Sequence, residues 1–435
     1  MFRRPGDKAP LLLDDGVAVA VAANDINCLS DVLSSFPDVA RNGLGKAYAT
    51  EPDVSDEVLH DVVGVFVVAF DTRHGNIVEW FAPDDLDING IEFKAMASGA
   101  HRTTTDFIYF KRGAFFGLAS FEKLDVENTS ERGARMKSVG VLTRSYSLLH
   151  MYKVFLQKQV RHLLENQGSY GALSRFYQRK RSLVYGASGT MTEVDLGYEP
   201  TLCEGLPQME ITHPAGCFSQ FLNYFGDKIF ALWRFALLRK RILFFSQPPI
   251  GVVCFRVYCT STLVAHVHPG VDRSSALCPP QFYVNIADID SIEKMSSYVA
   301  CTTEKIFENK LGLYDLYVDQ QNLRTSKLRH QKLLETNLAD RIKFRHLNDL
   351  RSKSQLPGGS CDADESWFTS FFMAQNTQLF KELHLAQTSE TKILGDDHMR
   401  RAGLDPLADK PFVAELADVY GIDIVLVNDG VCCAR

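Results

Sequence analysis

No Cys-x-x-Cys pair occurs among the ten cysteines of the sequence, and their spacing is irregular. Structural zinc sites and disulfide frameworks need paired or regularly spaced cysteines, so neither is expected. Reduced thiols in a cytosolic protein are predicted instead, at Cys28, Cys203, Cys217, Cys254, Cys259, Cys278, Cys301, Cys361, Cys432 and Cys433.

The sequence also lacks a large excess of positive or negative charge. The 435 residues include 47 Lys and Arg against 53 Asp and Glu, a formal net charge of −6. Binding to the phosphates of nucleic acid requires concentrated positive charge. Nucleic acid is therefore not expected as a partner.

Apolar runs long enough to cross a membrane are lacking as well. Near the N-terminus, the three consecutive leucines at residues 11–13 are too few for the hydrophobic region of a secretory signal. The longest later run, residues 250–266, contains Arg256, and a charge at the centre of a spanning helix costs about 3 kcal/mol. No transmembrane helix is expected, and the protein is predicted to be cytoplasmic.

Catalytic motifs are absent from the sequence. It contains no HExxH or GxSxG, and no glycine fingerprint follows a predicted strand. His266 and His268 form a His-x-His pair, but metal sites need three or four converging ligands. We expect neither a metal nor another cofactor, and the scattered polar residues favour an interaction protein or a regulator of another enzyme.

The first ordered region is predicted at residues 61–166, after a disordered tail at residues 1–60. It begins with the β-branched and aromatic run "VVGVFVVAFD", which is typical of a strand buried on both faces. The apolar patterns that follow predict a second strand, a helix at residues 87–97, three more strands and a long helix at residues 145–164. The predicted order is β-β-α-β-β-β-α, and the fold class is α/β.

A linker without helical periodicity is predicted at residues 167–208, because Gly, Ser and Tyr become frequent there. The central α/β region, residues 209–350, opens with a helical stripe that runs from Cys217 to Leu237. A loop at residues 351–365 separates it from a C-terminal segment at residues 366–435. Periodicity does not decide whether residues 250–265 form one helix or a pair of strands.

Two basic clusters in the central region each have two interpretations. Arg239, Lys240 and Arg241 follow the predicted helix, where cations stabilise the negative end of the helix dipole, and a role in docking an acidic partner is the alternative. Residues 324–353 contain nine Lys or Arg interspersed with leucines. They are interpreted as a solvated helical pair, or alternatively as a contact with acidic lipid or protein.

One short pattern in the N-terminal tail resembles an acidic dileucine sorting signal. Asp7, Leu11 and Leu12 have the spacing of such a signal, which suggests a sorting adaptor as a possible partner. So short a pattern often arises by chance in a segment whose sequence is weakly constrained.

Several segments resemble the successive signatures of DENN-domain proteins, most closely those of the LCHN type. The resemblance covers the chain from about Asp61 onward, and its pieces occur in the family's order. They are "VVGVFVVAFDTRHGNIVEW", "TDFIYFKRGAFFGLASF", "ERGARMKSVGVL", "LWRFALLRKRILFFS" and "VACTTEKIFENKLGLYDLYVD". The resemblance implies a longin-like module with an antiparallel sheet, followed by an α/β DENN module.

The resemblance also implies a function, namely guanine-nucleotide exchange on a Rab-type small GTPase. Such a factor binds the switch regions of the GTPase and performs no covalent chemistry of its own, which agrees with the lack of catalytic motifs. An interface of this kind buries about 1,600 Å², and we expect it across the cleft between the two modules. No GTPase-binding residue can be named from the resemblance, and recruitment to membranes is expected to be peripheral.

Arg132 supports the first of two alternatives. In the folliculin branch of DENN relatives, an Arg-Gly pair before the last longin strand acts as an arginine finger that accelerates GTP hydrolysis. Arg132 and Gly133 match that place, so a GTPase-activating protein is one alternative. Arg-Gly is also common turn chemistry. A non-catalytic membrane-trafficking scaffold is the second alternative.

Overall fold

The computed structural model describes residues 62–127, 131, 133–146, 149–181, 218–268, 278–354 and 363–427. All of these belong to one unit, Val54–Arg435. Within these ranges, no helix combines the length and the apolar composition that crossing a bilayer requires.

The first half of the described chain has the predicted element order. Five antiparallel strands lie in the order β3-β4-β5-β1-β2. Successive residues such as Val67 and Val68 point to opposite faces of the sheet. Both side chains are buried, so both faces are covered here. The elements are β1 Val62–Asp71, β2 Gly75–Ala82, α1 Ile91–Ala95, β3 Thr105–Arg112, β4 Phe115–Asp125, β5 Ala134–Thr143 and α2 Lys153–Glu165.

The predicted helix boundaries in this half need correction. Helix α1 is shorter than predicted, because Gly90 before it adopts a positive φ angle of 83° and Met96 after it is extended. Helix α2 begins at Lys153 after a 3-10 turn, Leu149–Tyr152.

The predicted linker contains a helix in the part that the structure describes. Helix α3 (Gly171–Lys180) packs Phe176 against Phe155 of α2, with ring centroids 4.2 Å apart. Its buried residues Leu173, Phe176 and Tyr177 have helical spacing, but the stripe is too short to stand out in a polar sequence. The prediction that the linker lacks helical periodicity was therefore wrong for the residues of α3.

The second half surrounds parallel strands with helices. Its strands are β6 Arg241–Phe245, β7 Pro280–Tyr283, β8 Tyr298–Thr302, β9 Leu316–Asp319 and β10 Asn322–Arg324, with β11 Ile393–Leu394 and β12 Val425–Leu426 in a separate pair. Its helices are α4 Phe218–Phe225, α5 Ile229–Leu237, α6 Gly251–Thr262, α7 Ile289–Glu293, α8 Leu338–Ser354, α9 Ala363–Thr388, α10 Asp396–Arg401 and α11 Lys410–Tyr420. Residues 250–265 therefore form one helix rather than two strands.

A single ten-stranded sheet joins the two halves, in the order β10-β9-β6-β8-β7-β3-β4-β5-β1-β2. The join is the parallel pairing of β3 with β7, where Phe110 lies opposite Tyr283. The predicted α/β class is confirmed. The longin-like description and the division into modules stay predictions.

Gly140 shows how tightly the antiparallel half is packed. A Cβ atom at Gly140 would lie 2.2 Å from Cζ of Phe66 and 2.9 Å from the carbonyl oxygen of Leu118. Any larger residue would have to displace a fully buried ring, so only glycine fits between β1 and β4.

The first basic cluster is structural. Arg239 lies over the ring of Tyr420, 4.8 Å from its centroid. The Nζ atom of Lys240 lies 2.5 Å from Glu415, and Arg241 pairs with Asp315 at 3.3 Å. Each cation thus holds a neighbouring element to the start of β6, which confirms the structural interpretation of this cluster.

Candidate functional site

Lys94 of α1 connects the two halves at the carboxyl end of β7. Its side chain is buried, and its Nζ atom donates to the carbonyl oxygen of Tyr283 at 3.1 Å and to the carboxylate of Asp288 at 2.6 Å. Burial lowers the pKa of Lys94, while Asp288 opposes that shift. Because the partners lie on opposite sides of the β3–β7 pairing, this contact fixes how the halves meet.

The loop after β7 is held in place from both sides. Asn285 and Asp288 form a capping box, in which the side chain of Asn285 accepts from the N–H of Ala287 and Asp288 accepts from the N–H of Asn285. The side-chain amide of Asn285 also donates to the carbonyl oxygen of Phe93 at 3.1 Å. The loop therefore has one defined position against α1.

Arg112, the last residue of β3, holds the segment before α1. Its Nε donates to the carbonyl oxygen of Asn89 at 3.0 Å, and its Nη1 donates to that of Asp87 at 2.6 Å. Three residues beyond the helix, the N–H of Ser98 donates to the hydroxyl of Tyr283 at 3.1 Å. Both ends of α1 are thereby attached to this edge of the sheet.

Three exposed apolar side chains lie on this rigid edge. Phe93 is 49% exposed, Ile286 is 53% exposed and Ile306 is 48% exposed. Phe93 comes from α1, Ile286 from the loop after β7, and Ile306 from the 3-10 turn after β8. We call these residues, with Lys94 and Asp288 beneath them, the junction surface.

The position of the junction surface favours a binding role. In open α/β sheets, ligands bind outside the carboxyl ends of the parallel strands. β7 and β8 are parallel and end at Tyr283 and Thr302, three residues before Ile286 and four residues before Ile306. Large apolar side chains that stay exposed on an ordered edge are typical of a site for a protein partner.

Glu304 lies half-buried beside the junction surface. Its pKa is raised because burial disfavours the charged form; the N–H of Ile286 counteracts this shift, and the nearby Asp288 adds to it. Its Oε2 atom is buried and has no hydrogen-bond partner among the described residues. The ionised carboxylate therefore destabilises the folded state at neutral pH.

Glu304→Gln is expected to raise the free energy of unfolding at pH 7, by less than about 1 kcal/mol because solvent screens this half-exposed group. A raised folded-state pKa means that stability falls as pH rises from the unfolded-state value toward the folded-state value. The difference between variant and wild type should therefore disappear below about pH 4, where the carboxyl is protonated in both states. Urea unfolding at several pH values measures it, and a less stable variant at pH 7 would contradict this account.

The described residues contain no group of three His, Cys, Asp or Glu side chains that could hold a metal ion. The ring of His266 packs against Phe380 and that of His268 against His384, with centroids 5.0 and 5.5 Å apart. The junction surface offers apolar area and one half-buried carboxylate rather than a nucleophile with a base. Its arrangement is suited to binding.

The site residues named from the sequence all lie outside the described residues. This applies to Arg132 and to the tail residues Asp7, Leu11 and Leu12. Close to Arg132 in the sequence, Arg135 donates from Nε and Nη2 to the carboxylate of Glu131, both at 2.8 Å.

Sequence reasoning missed the junction surface. Phe93 gave a usable signal, because it falls off the apolar stripe of the predicted helix formed by Ile88, Ile91 and Met96. An aromatic residue on the polar side of a short helix is exposed without a packing reason. Lys94 and Asp288 gave no such signal, since their pairing depends on the tertiary structure.

The fold is that of an α/β protein with an ordered edge that carries exposed apolar side chains, and similarity to known proteins places it more closely. A family model described as DENN domain-containing protein 11 matches residues 65–330. A relative from Xenopus laevis, called DENN domain-containing protein 11, is 50% identical over 386 residues, which cover 88% of each chain. Relatives of the same name are 49% identical in Mus musculus, covering 88% of this chain and 85% of the relative, and in Danio rerio, covering 86% and 77%. The chain belongs to the DENN domain-containing protein 11 family.

Proposed function

We propose that this protein is a guanine-nucleotide exchange factor for a Rab-type small GTPase and that it binds the switch regions through the junction surface. The observation that carries the proposal is the exposure of Phe93 and Ile286 on two segments that Lys94 joins, together with the exposure of Ile306 after the neighbouring strand β8. Membership of the DENN domain-containing protein 11 family supports a Rab-type GTPase as the partner. The proposed surface lies between the two predicted modules.

The exchange reaction requires differential binding only. A factor that binds the nucleotide-free arrangement of the switch loops more tightly than the nucleotide-bound one lowers the affinity for GDP by the same free energy. The abundant GTP then replaces GDP. Fully burying a large apolar side chain contributes about 1.5–3 kcal/mol, and these three side chains are about half exposed, so each can contribute about half of that on binding.

Rigidity of the junction surface supports this mechanism. A surface that changed shape on binding would spend part of its binding free energy on its own ordering. Here Asn285, Asp288 and Lys94 fix the loop and the helix that carry the exposed side chains. We further propose that the protein is cytoplasmic and reaches membranes peripherally.

Release of labelled GDP from a panel of Rab GTPases tests the proposal. Wild-type protein should accelerate release from at least one member. Phe93→Ala with Ile286→Ser should slow that release by about 30-fold, because each of these half-exposed side chains is expected to contribute about 1 kcal/mol to the interface. Val154→Ser is the matched control, since Val154 is an exposed apolar residue of α2, away from this edge; it should leave the rate unchanged.

Measuring phosphate release and binding on the same panel of GTPases separates the alternatives. Release of phosphate that depends on Arg132 would favour a GTPase-activating protein. Binding to a GTPase without any change in nucleotide release or hydrolysis would favour a scaffold. If the paired substitution left GDP release as fast as in the wild type, the junction surface would not be the GTPase site.

A further inference from the structure

Residues 327–345 are basic although the chain as a whole is acidic. They contain six Lys or Arg and two Asp or Glu, within a chain of net charge −6. The structure corrects the predicted helical pair here: a 3-10 segment, Leu328–Leu334, precedes the single helix α8. The basic residues are therefore displayed on two short segments of different geometry.

Three leucines of this region protrude into solvent. Leu328 is 88% exposed, Leu338 at the start of α8 is 52% exposed, and Leu407 in the turn before α11 is 77% exposed. Leucine is normally buried, and exposures this high in ordered segments have no packing explanation.

The buried guanidinium of Arg234 brings these three segments together. It donates to the carbonyl oxygen of Glu335 at 3.3 Å and to the carboxylate of Asp409 at 3.1 Å, and it pairs with Asp340. Asp340 and Asp409 each follow one of the exposed leucines by two residues. Arg234 thus contacts the chain two residues after Leu338, two residues after Leu407 and just beyond the 3-10 segment that begins at Leu328.

Four cations accompany the leucines. Arg329 and Lys332 are three residues apart and share one face of the 3-10 segment. Arg341 and Arg345 share one face of α8 with Leu338, at three and seven residues beyond it. All four are exposed, and none forms an ion pair or side-chain hydrogen bond with another described residue. We call these cations and the three leucines the basic leucine surface.

We propose that the basic leucine surface binds the surface of an anionic lipid bilayer. Membrane-surface elements combine Lys and Arg with leucines that enter the boundary between headgroups and acyl chains. Protein interfaces differ, because they have a contiguous apolar centre from which lysine is depleted. Leu328 and Leu338, each close in the chain to two unpaired cations, match the first pattern, and Leu407 adds a third protruding apolar side chain.

The basic leucine surface and the junction surface lie toward opposite ends of the parallel strands. Lys327, just before the 3-10 segment, pairs with Asp315, which accepts the N–H of Arg241 at the start of β6. The junction surface follows the carboxyl ends of β7 and β8. A five-residue strand spans about 16 Å, so a bilayer bound at one end leaves the other accessible. Membrane binding can be measured without a GTPase, so it is tested separately from exchange.

Cosedimentation of the full chain with phosphatidylcholine vesicles, with and without phosphatidylserine, tests the proposal. Binding should require phosphatidylserine and weaken with added salt. Arg329→Gln with Lys332→Gln should lower affinity about 25-fold, at about fivefold for each charge removed near the surface. Leu328→Ser should lower it about tenfold.

Matched control variants show whether the basic leucine surface is responsible for vesicle binding. Lys158→Gln with Arg175→Gln removes the same charges from exposed positions on α2 and α3, and Leu124→Ser removes a partly exposed leucine from β4; neither should change binding. The proposal is overturned by equal binding to phosphatidylcholine alone or by an equal loss in the control pair. It is also overturned if Leu328 mediates self-association without vesicles, because a second copy would then cover the surface.

Discussion

Arg234→Met is expected to lower the free energy of unfolding by about 3–5 kcal/mol, since it leaves buried carboxylates without their cation. The Arg234 side chain is almost fully buried and pairs with both Asp340 and Asp409, which are also buried. Lys343 lies 3.2 Å from Asp340 and compensates for only one of the two. Urea unfolding monitored by tryptophan fluorescence measures the loss.

The partners of Arg234 provide the internal control. Arg234→Met combined with Asp340→Asn and Asp409→Asn should recover part of the loss, because no unpaired charge stays buried. Arg341→Met, an exposed substitution of the same type on α8, should change stability by less than about 0.5 kcal/mol. A loss for Arg234→Met no larger than that for Arg341→Met would show that the network does not stabilise the fold.

Lys94→Met is expected to lower the free energy of unfolding by about 2–4 kcal/mol and to slow GDP release under the proposed function. The substitution keeps the apolar stem but removes the donor to Tyr283 and the cation beside Asp288. Asp288 retains the N–H of Asn285 and some exposure to solvent, so the expected loss is smaller than at Arg234. Urea unfolding and the GDP-release assay measure the two effects on the same preparation.

A double-mutant cycle with Asp288→Asn isolates the contact between the halves. The double variant should lose less stability than the sum of the two single variants, because the interaction is lost only once. Additive losses would mean that the two side chains stabilise the protein independently. GDP release should follow the same non-additive pattern if the contact positions the junction surface.

The order of the first seven elements could be predicted from the sequence for a simple reason. Strand β1 is covered on both faces, so its sequence is a continuous apolar run that local composition reveals. Helix α6 was ambiguous because it contacts the sheet and neighbouring helices, and apolar residues on most of its faces remove the helical period. Helix α3 was not predicted because its only sequence signal is one short apolar stripe, Leu173, Phe176 and Tyr177.

The candidate site was predicted only in outline. The family resemblance implied an interface between two modules, which stays a prediction, and it named none of the residues that form the junction surface. Arg132 and the tail residues Asp7, Leu11 and Leu12, which the sequence did name, lie outside the described residues, and their roles stay predictions. An exposed aromatic residue such as Phe93 can be suspected from a helical pattern, whereas its neighbours in space cannot.

By itself, the sequence determined the α/β class, the order of the first seven elements and the family, because local apolar patterns and motif order are properties of neighbouring residues. The tertiary structure alone decided which side chains act together. Lys94 meets Asp288 across 194 residues, and Arg234 meets Asp409 across 175. Such pairs form only when the packed sheet and helices bring distant segments into contact, so no local pattern specifies them.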